Sequence, residues 1–70
     1  MKFVPAPNNC DLCHTEFSME PGTLMYDAAF RGPWGCFCDS CFKKHGMQIG
    51  TGKGQKYERR EDGSFERVAG

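Results

Sequence analysis

Residues 24–30 alternate. Leu24, Tyr26, Ala28 and Phe30 fall on one side, with Met25, Asp27 and Ala29 on the other. That period of two predicts a strand over 23–30. Arg31-Gly32-Pro33 breaks it, and Trp34 to Phe37 reads as the return strand of a hairpin. The period then changes. Asp39-Ser40-Cys41-Phe42-Lys43-Lys44-His45 carries an acid in its first turn and bases in its last, and Gly46 follows as a stop. These are the signs of a short helix matched to its own dipole. A helix of one to two turns is marginal alone and needs an anchor.

Four glycines fall within residues 46–54, which predicts a loop, with Met47 and Ile49 as its inward side chains. Lys56–Arg60 and Ser64–Val68 flank Asp62-Gly63, a short-range hairpin signal. Tyr57, Phe65 and Val68 are its candidate inward residues. Upstream, Met19-Glu20-Pro21-Gly22 places Pro-Gly as in the centre of a type II turn. The first nine residues, with two prolines and two asparagines, read as an extended lead-in from which Phe3 or Val4 can pack on the body. The chain thus divides into a lead-in (1–9), a central module (10–46) and a Gly-rich basic loop with a hairpin arm (47–70).

Seventy residues, 39% of them hydrophobic, hold one domain at most. Below about 80 residues a core rarely supplies more than ~3–5 kcal/mol, so small folds use a staple. No run approaches the about 18 apolar residues of a membrane span. Met1 to Pro7 lacks a signal-peptide core. The expectation is a cytoplasmic protein without a membrane partner. In that reducing setting five cysteines are poor candidates for disulfides.

The cysteines are patterned. Cys10-x2-Cys13 and Cys38-x2-Cys41 stand 24 residues apart. A two-residue spacer lets one turn present two sulfurs to adjacent corners of a tetrahedron, and the interval suits a hairpin that carries the chain out and back. Zinc held by Cys10, Cys13, Cys38 and Cys41 is the expected staple. An iron–sulfur centre on the same thiolates is an alternative, as are four reduced structural cysteines. A thioredoxin-type dithiol is disfavoured because the flanking pattern is not βαβ. Cys36 lies two residues before Cys38 on the same strand face and could rival it; otherwise it is a small residue beside the site. His45, four residues after Cys41, could replace it at a zinc spacing; otherwise it lies at the helix end. His14 reads as a neighbour of the site or an exposed residue. Four protein ligands leave no open position, which points to a structural metal.

A CxxC turn, a hairpin, then a CxxC whose second cysteine opens a helix resembles a treble-clef zinc finger; a zinc ribbon is the alternative. The likeness goes further. Cys10–Phe17, Gly32-Pro33-Trp34, Cys38–Cys41 and Gly50-Thr51-Gly52-Lys53-Gly54-Gln55-Lys56-Tyr57 resemble the order of motifs in a group of small bacteriophage and prophage-encoded zinc-finger proteins, over roughly residues 10–58. The resemblance implies a phage-encoded protein working in a bacterial host cytoplasm. It implies no activity.

The zero net charge conceals a layout. Residues 1–42 sum to −3, residues 43–60 to +5 and residues 61–70 to −2. A cationic Gly-rich segment suggests a nucleic-acid-binding module: lysines and arginines displace counterions, glycines let the backbone approach phosphates, and an aromatic stacks on a base. The candidate residues are Lys43, Lys44, Lys53, Lys56, Tyr57, Arg59 and Arg60, with Trp34 as an exposed anchor. The helix is too short for major-groove readout, so little sequence preference is expected. The alternative is a protein-binding adaptor that docks on a host or phage protein through the same charges and aromatics. A third reading makes the basic loop a solvated wrapping of the metal module. Catalysis is not expected: Gly50–Tyr57 fails the phosphate-loop pattern, and His14 and His45 show no catalytic grouping.

Overall fold

The computed structural model describes residues 7–70. The elements are β1 (Leu24–Ala29), β2 (Trp34–Cys38), α1 (Asp39–Lys44), β3 (Gly54–Arg59) and β4 (Phe65–Ala69). The strands form one antiparallel sheet in the order β2-β1-β3-β4. The fold is a small α+β domain. Phe3 and Val4 lie outside the described residues.

Local signals account for most boundaries. Thr23 N–H donates to Glu20 O at 3.2 Å and Gly22 takes φ +93°, as a type II turn requires. Gly46 closes α1 at φ +65°, its N–H on Lys43 O at 3.2 Å. Between β3 and β4, Arg60 N–H donates to Ser64 O at 2.7 Å, and Gly63 at φ +88° ends a three-residue loop.

The placement of β3 rests on one glycine. Gly54 lies opposite Ala28 of β1. A Cβ on Gly54 would stand 2.7 Å from the Gln48 carbonyl oxygen and 3.0 Å from the Ala28 Cβ. Glycine is the residue that lets β3 close on β1 here. Gly50, whose N–H donates to Gly54 O at 2.9 Å, closes the loop as a short bridge. Part of the Gly-rich motif therefore has a purely structural reason.

Both faces of the sheet are covered, by different parts of the chain. On one face α1 packs down: Tyr26 and Phe42 stack at 3.8 Å between centroids and 10° between planes. The Tyr26 hydroxyl donates to Asp39 Oδ1 at 2.8 Å. Burial and the adjacent Asp39 push the Tyr26 phenol up to about 12; the same hydrogen bond is the main cause holding the Asp39 carboxyl low. On the other face Met25 belongs to the same buried cluster as Cys10 and Phe17, and Phe17 meets Phe65 edge-on at 5.6 Å. Met25 and Tyr26, on opposite sides of the alternation, are both buried. The period of two reports a half-buried strand, whereas β1 is an inner strand with cover on both sides.

Two inward expectations fail and three hold. Tyr57 and Phe65 are buried. Val68 is exposed at an irregularity of the ladder: Tyr57 pairs with Arg67 and Lys56 with Ala69, which leaves Val68 as the extra residue between them. Met47 packs on the core, whereas Ile49 is exposed.

Candidate metal centre

Three pieces of backbone deliver four sulfurs. The first turn, 10–13, supplies Cys10 and Cys13; the end of β2 supplies Cys38; the first turn of α1 supplies Cys41. The first turn is closed by His14 N–H to Cys10 O at 2.9 Å and Cys10 N–H to Thr15 O at 3.0 Å. It is strapped to the lead-in by Phe17 N–H on Asn8 O at 2.9 Å. It is locked to β2 by one residue: Asp11 donates its N–H to Cys36 O at 2.9 Å and accepts Cys36 N–H on Oδ2 at 2.7 Å. Asp11 thus completes the outer edge of β2 and fixes the distance between the two CxxC units. A Cβ on Gly35 would stand 2.9 Å from that carboxylate and 2.8 Å from the Phe37 ring, so the second Gly of the Gly-Pro-Trp-Gly run leaves room for this lock.

The four sulfurs lie within 4.8 Å of one another, and Cys13 Sγ stands 3.7 Å from Cys38 Sγ. A tetrahedron with metal–sulfur distances of about 2.3 Å has edges of about 3.8 Å, so this cluster could hold a metal ion. The protein also stabilises sulfur as an anion at selected points. Thr15 donates its hydroxyl and its N–H to Cys13, whose thiol falls to about 6. Cys41 N–H donates to Cys38. Burial outweighs these bonds at Cys38, which is raised, and pushes Cys41 up to about 12. Four thiolates packed together need a cation to be stable.

The alternatives separate cleanly. Cys36 is outside the cluster. It faces Asp27 across the sheet. Burial first, then the charges of Asp27 and Asp11, push its thiol up to about 12, which keeps it protonated. His45 also lies outside, with its ring edge-on to Phe30 at 5.0 Å. His14 is exposed at φ +63°, a left-handed conformation that costs most residues about 1–2 kcal/mol. His14→Gly is therefore expected to raise stability by about 0.5–1 kcal/mol in urea denaturation, with metal stoichiometry unchanged. Loss of metal in that variant would instead place His14 in the coordination shell.

The candidate binding residues scatter. Lys43, Lys44 and Lys53 are exposed, and Lys56 is half-buried on β3. Lys43 Nζ is 3.0 Å from Asp39 and Arg60 is 3.6 Å from Glu58. Trp34 is 48% exposed at the start of β2. Tyr57 is buried, its hydroxyl donating to Gln55 Oε1 at 2.9 Å, so its ring is not offered to a base. Arg59 is only 4% exposed. Its Nε donates to Ser18 O at 3.2 Å, a terminal nitrogen donates to Gly63 O, and the guanidinium stacks 4.0 Å from the Phe65 centroid. Arg59 holds the β3–β4 turn against residues 17–18 and leaves the accessible cations. Sequence reasoning missed Arg31 and Asp11. Arg31 reads there only as part of a strand breaker, and nothing in the spacing of Asp11 announces its hold on β2.

No helix of the described residues is long and apolar enough to cross a membrane. No protein-family model, curated protein or solved structure matches the chain.

Proposed function

We propose that this protein is a structural-zinc module of treble-clef layout, phage-encoded and cytoplasmic, that binds nucleic acid through cations gathered around the end of α1 and the Gly-rich loop. The observation that carries the zinc reading is the closed cluster of four sulfurs. A turn, a hairpin and a helix that carries the last cysteine in its first turn support the treble-clef layout. A four-thiolate shell keeps no position for water or substrate, so the reading includes no catalytic step.

The nucleic-acid part rests on Lys43, Lys44, Lys53 and Lys56, together with Arg31, and two local groupings support it. Lys43 and Lys56 both act on the Asp39 carboxyl. Arg31 and Lys53 border one cleft with the end of α1. Arg60, at the far turn and beside Glu58, is outside this group. Binding is expected to follow counterion release: log K should fall against log salt with a slope of about −0.7 per phosphate neutralised on a single strand. Changing Lys43, Lys44, Lys53 and Lys56 together to Ala should flatten that slope. Labelled DNA and RNA that show no anisotropy change at low salt would sink the reading. The half-exposed Trp34 favours the adaptor alternative; a bacterial protein retained by the wild type after nuclease treatment, and lost with Trp34→Ala, would support it.

A further inference from the structure

A cleft of about 330 Å³ opens between the β1–β2 turn, the end of α1 and the Gly-rich loop. Its size is at the lower end of small-molecule sites. Arg31 and Lys53 border it, and no Asp or Glu does. Among the described residues neither cation forms an ion pair, whereas Lys43 and Arg60 each sit beside a carboxylate. Phe30 and Met47 supply apolar wall.

The framework is held in place. Phe30 is wedged edge-on against Phe37 at 6.1 Å and His45 at 5.0 Å, with the Arg31 guanidinium 5.1 Å from its centroid. Lys53 is tied on both sides of its backbone: its N–H donates to Gly50 O at 3.0 Å and its carbonyl accepts Ala29 N–H at 3.0 Å. Gly46 and Gly52 also border the cleft, and a Cβ on either would meet nothing within 4 Å. The main chain there is open to close approach.

Two unpaired cations set by a rigid turn and a tied loop, beside aromatic and apolar wall, suit a ligand with a phosphate and a planar ring. We propose that this cleft binds one nucleotide, its phosphate between Arg31 and Lys53 and its base against the Phe30–His45 side. The proposal rests on the nucleic-acid reading and sharpens it from a diffuse cationic face to one pocket.

The test is a titration of the zinc-loaded full chain, followed by ¹H–¹⁵N spectra, with adenosine monophosphate, a hexamer of deoxyadenosine and inorganic phosphate. The nucleotide and the hexamer are expected to shift the amides of Phe30, Gly46, Gly52 and Lys53. Tighter binding of the hexamer identifies a strand as the source, and equal binding identifies the free nucleotide. Arg31→Asn, which keeps a residue tolerant of the left-handed φ +56°, and Lys53→Gln should each weaken hexamer binding about fivefold, as loss of one phosphate contact does. Arg67→Gln, on β4, should stay within about twofold. Inorganic phosphate producing the same shifts at the same concentration would overturn the nucleotide assignment. Hexamer binding that shifts other amides, or that Arg67→Gln weakens as much, would overturn the cleft and leave nucleic-acid binding standing. No binding of either the hexamer or the nucleotide at low salt would overturn both.

Discussion

Chelation of the zinc-loaded protein is expected to unfold it. Structural zinc in small domains contributes ~10–16 kcal/mol of apparent binding free energy, which appears as folding free energy. The remaining core, largely Phe17, Met25, Tyr26, Phe37, Phe42, Tyr57 and Phe65, belongs to a size class that rarely supplies more than ~3–5 kcal/mol. Two of the four sulfur residues, Cys10 and Cys41, are themselves core, so metal loss also loosens packing between the first turn and α1. Far-UV circular dichroism with excess chelator should show loss of the sheet, restored by added zinc. Cys41→Ser should abolish the bound metal in native mass spectrometry. Cys36→Ser should keep one metal per chain and cost about 1 kcal/mol or less. A cooperative thermal transition in the metal-free protein would contradict this account, and a mass increment of iron and sulfide would replace zinc with a cluster.

Arg59→Ala is expected to cost about 2–4 kcal/mol. The side chain is buried, serves two carbonyls, and stacks on a fully buried phenylalanine. Its removal strands the oxygens of Ser18 and Gly63 and leaves a void beside Phe65. Arg59→Lys should recover little, because an ammonium cannot reach both carbonyls while lying flat on the ring. Arg60→Ala, one residue on and exposed beside Glu58, should stay within about 0.5 kcal/mol. Urea denaturation of the three zinc-loaded variants checks this. If Arg59→Ala left stability unchanged and weakened nucleic-acid binding, Arg59 would belong to the binding surface.

The +5 segment illustrates what summing charges along a chain conceals. Four of its six cations show three different fates. Arg59 is enclosed by the β3–β4 turn; Lys43 and Arg60 sit beside acids; Lys53 joins Arg31, a residue of the acidic segment, at one cleft. The Gly-rich stretch is similarly divided. Gly54 is a packing requirement of the sheet, while Gly52 borders open space.

Local chemistry determined a great deal here. The two CxxC units name the four sulfurs because a two-residue spacer restricts which sulfurs can share a centre. The alternation around Tyr26, the Pro21-Gly22 and Asp62-Gly63 turns, and Gly46 set the element order because each acts within a few residues of backbone. Three decisions belong to the tertiary structure. The pairing of β3 with β1 was not written in either strand; it depends on Gly54 meeting Ala28 across 26 residues of chain. Cys36 stays outside the four-sulfur cluster, with its N–H on Asp11 and Asp27 opposite it on β1. The cleft between Arg31 and Lys53 exists only because the sheet brings the β1–β2 turn beside the Gly-rich loop. Such contacts join residues distant in sequence, and spacing rules describe only neighbours.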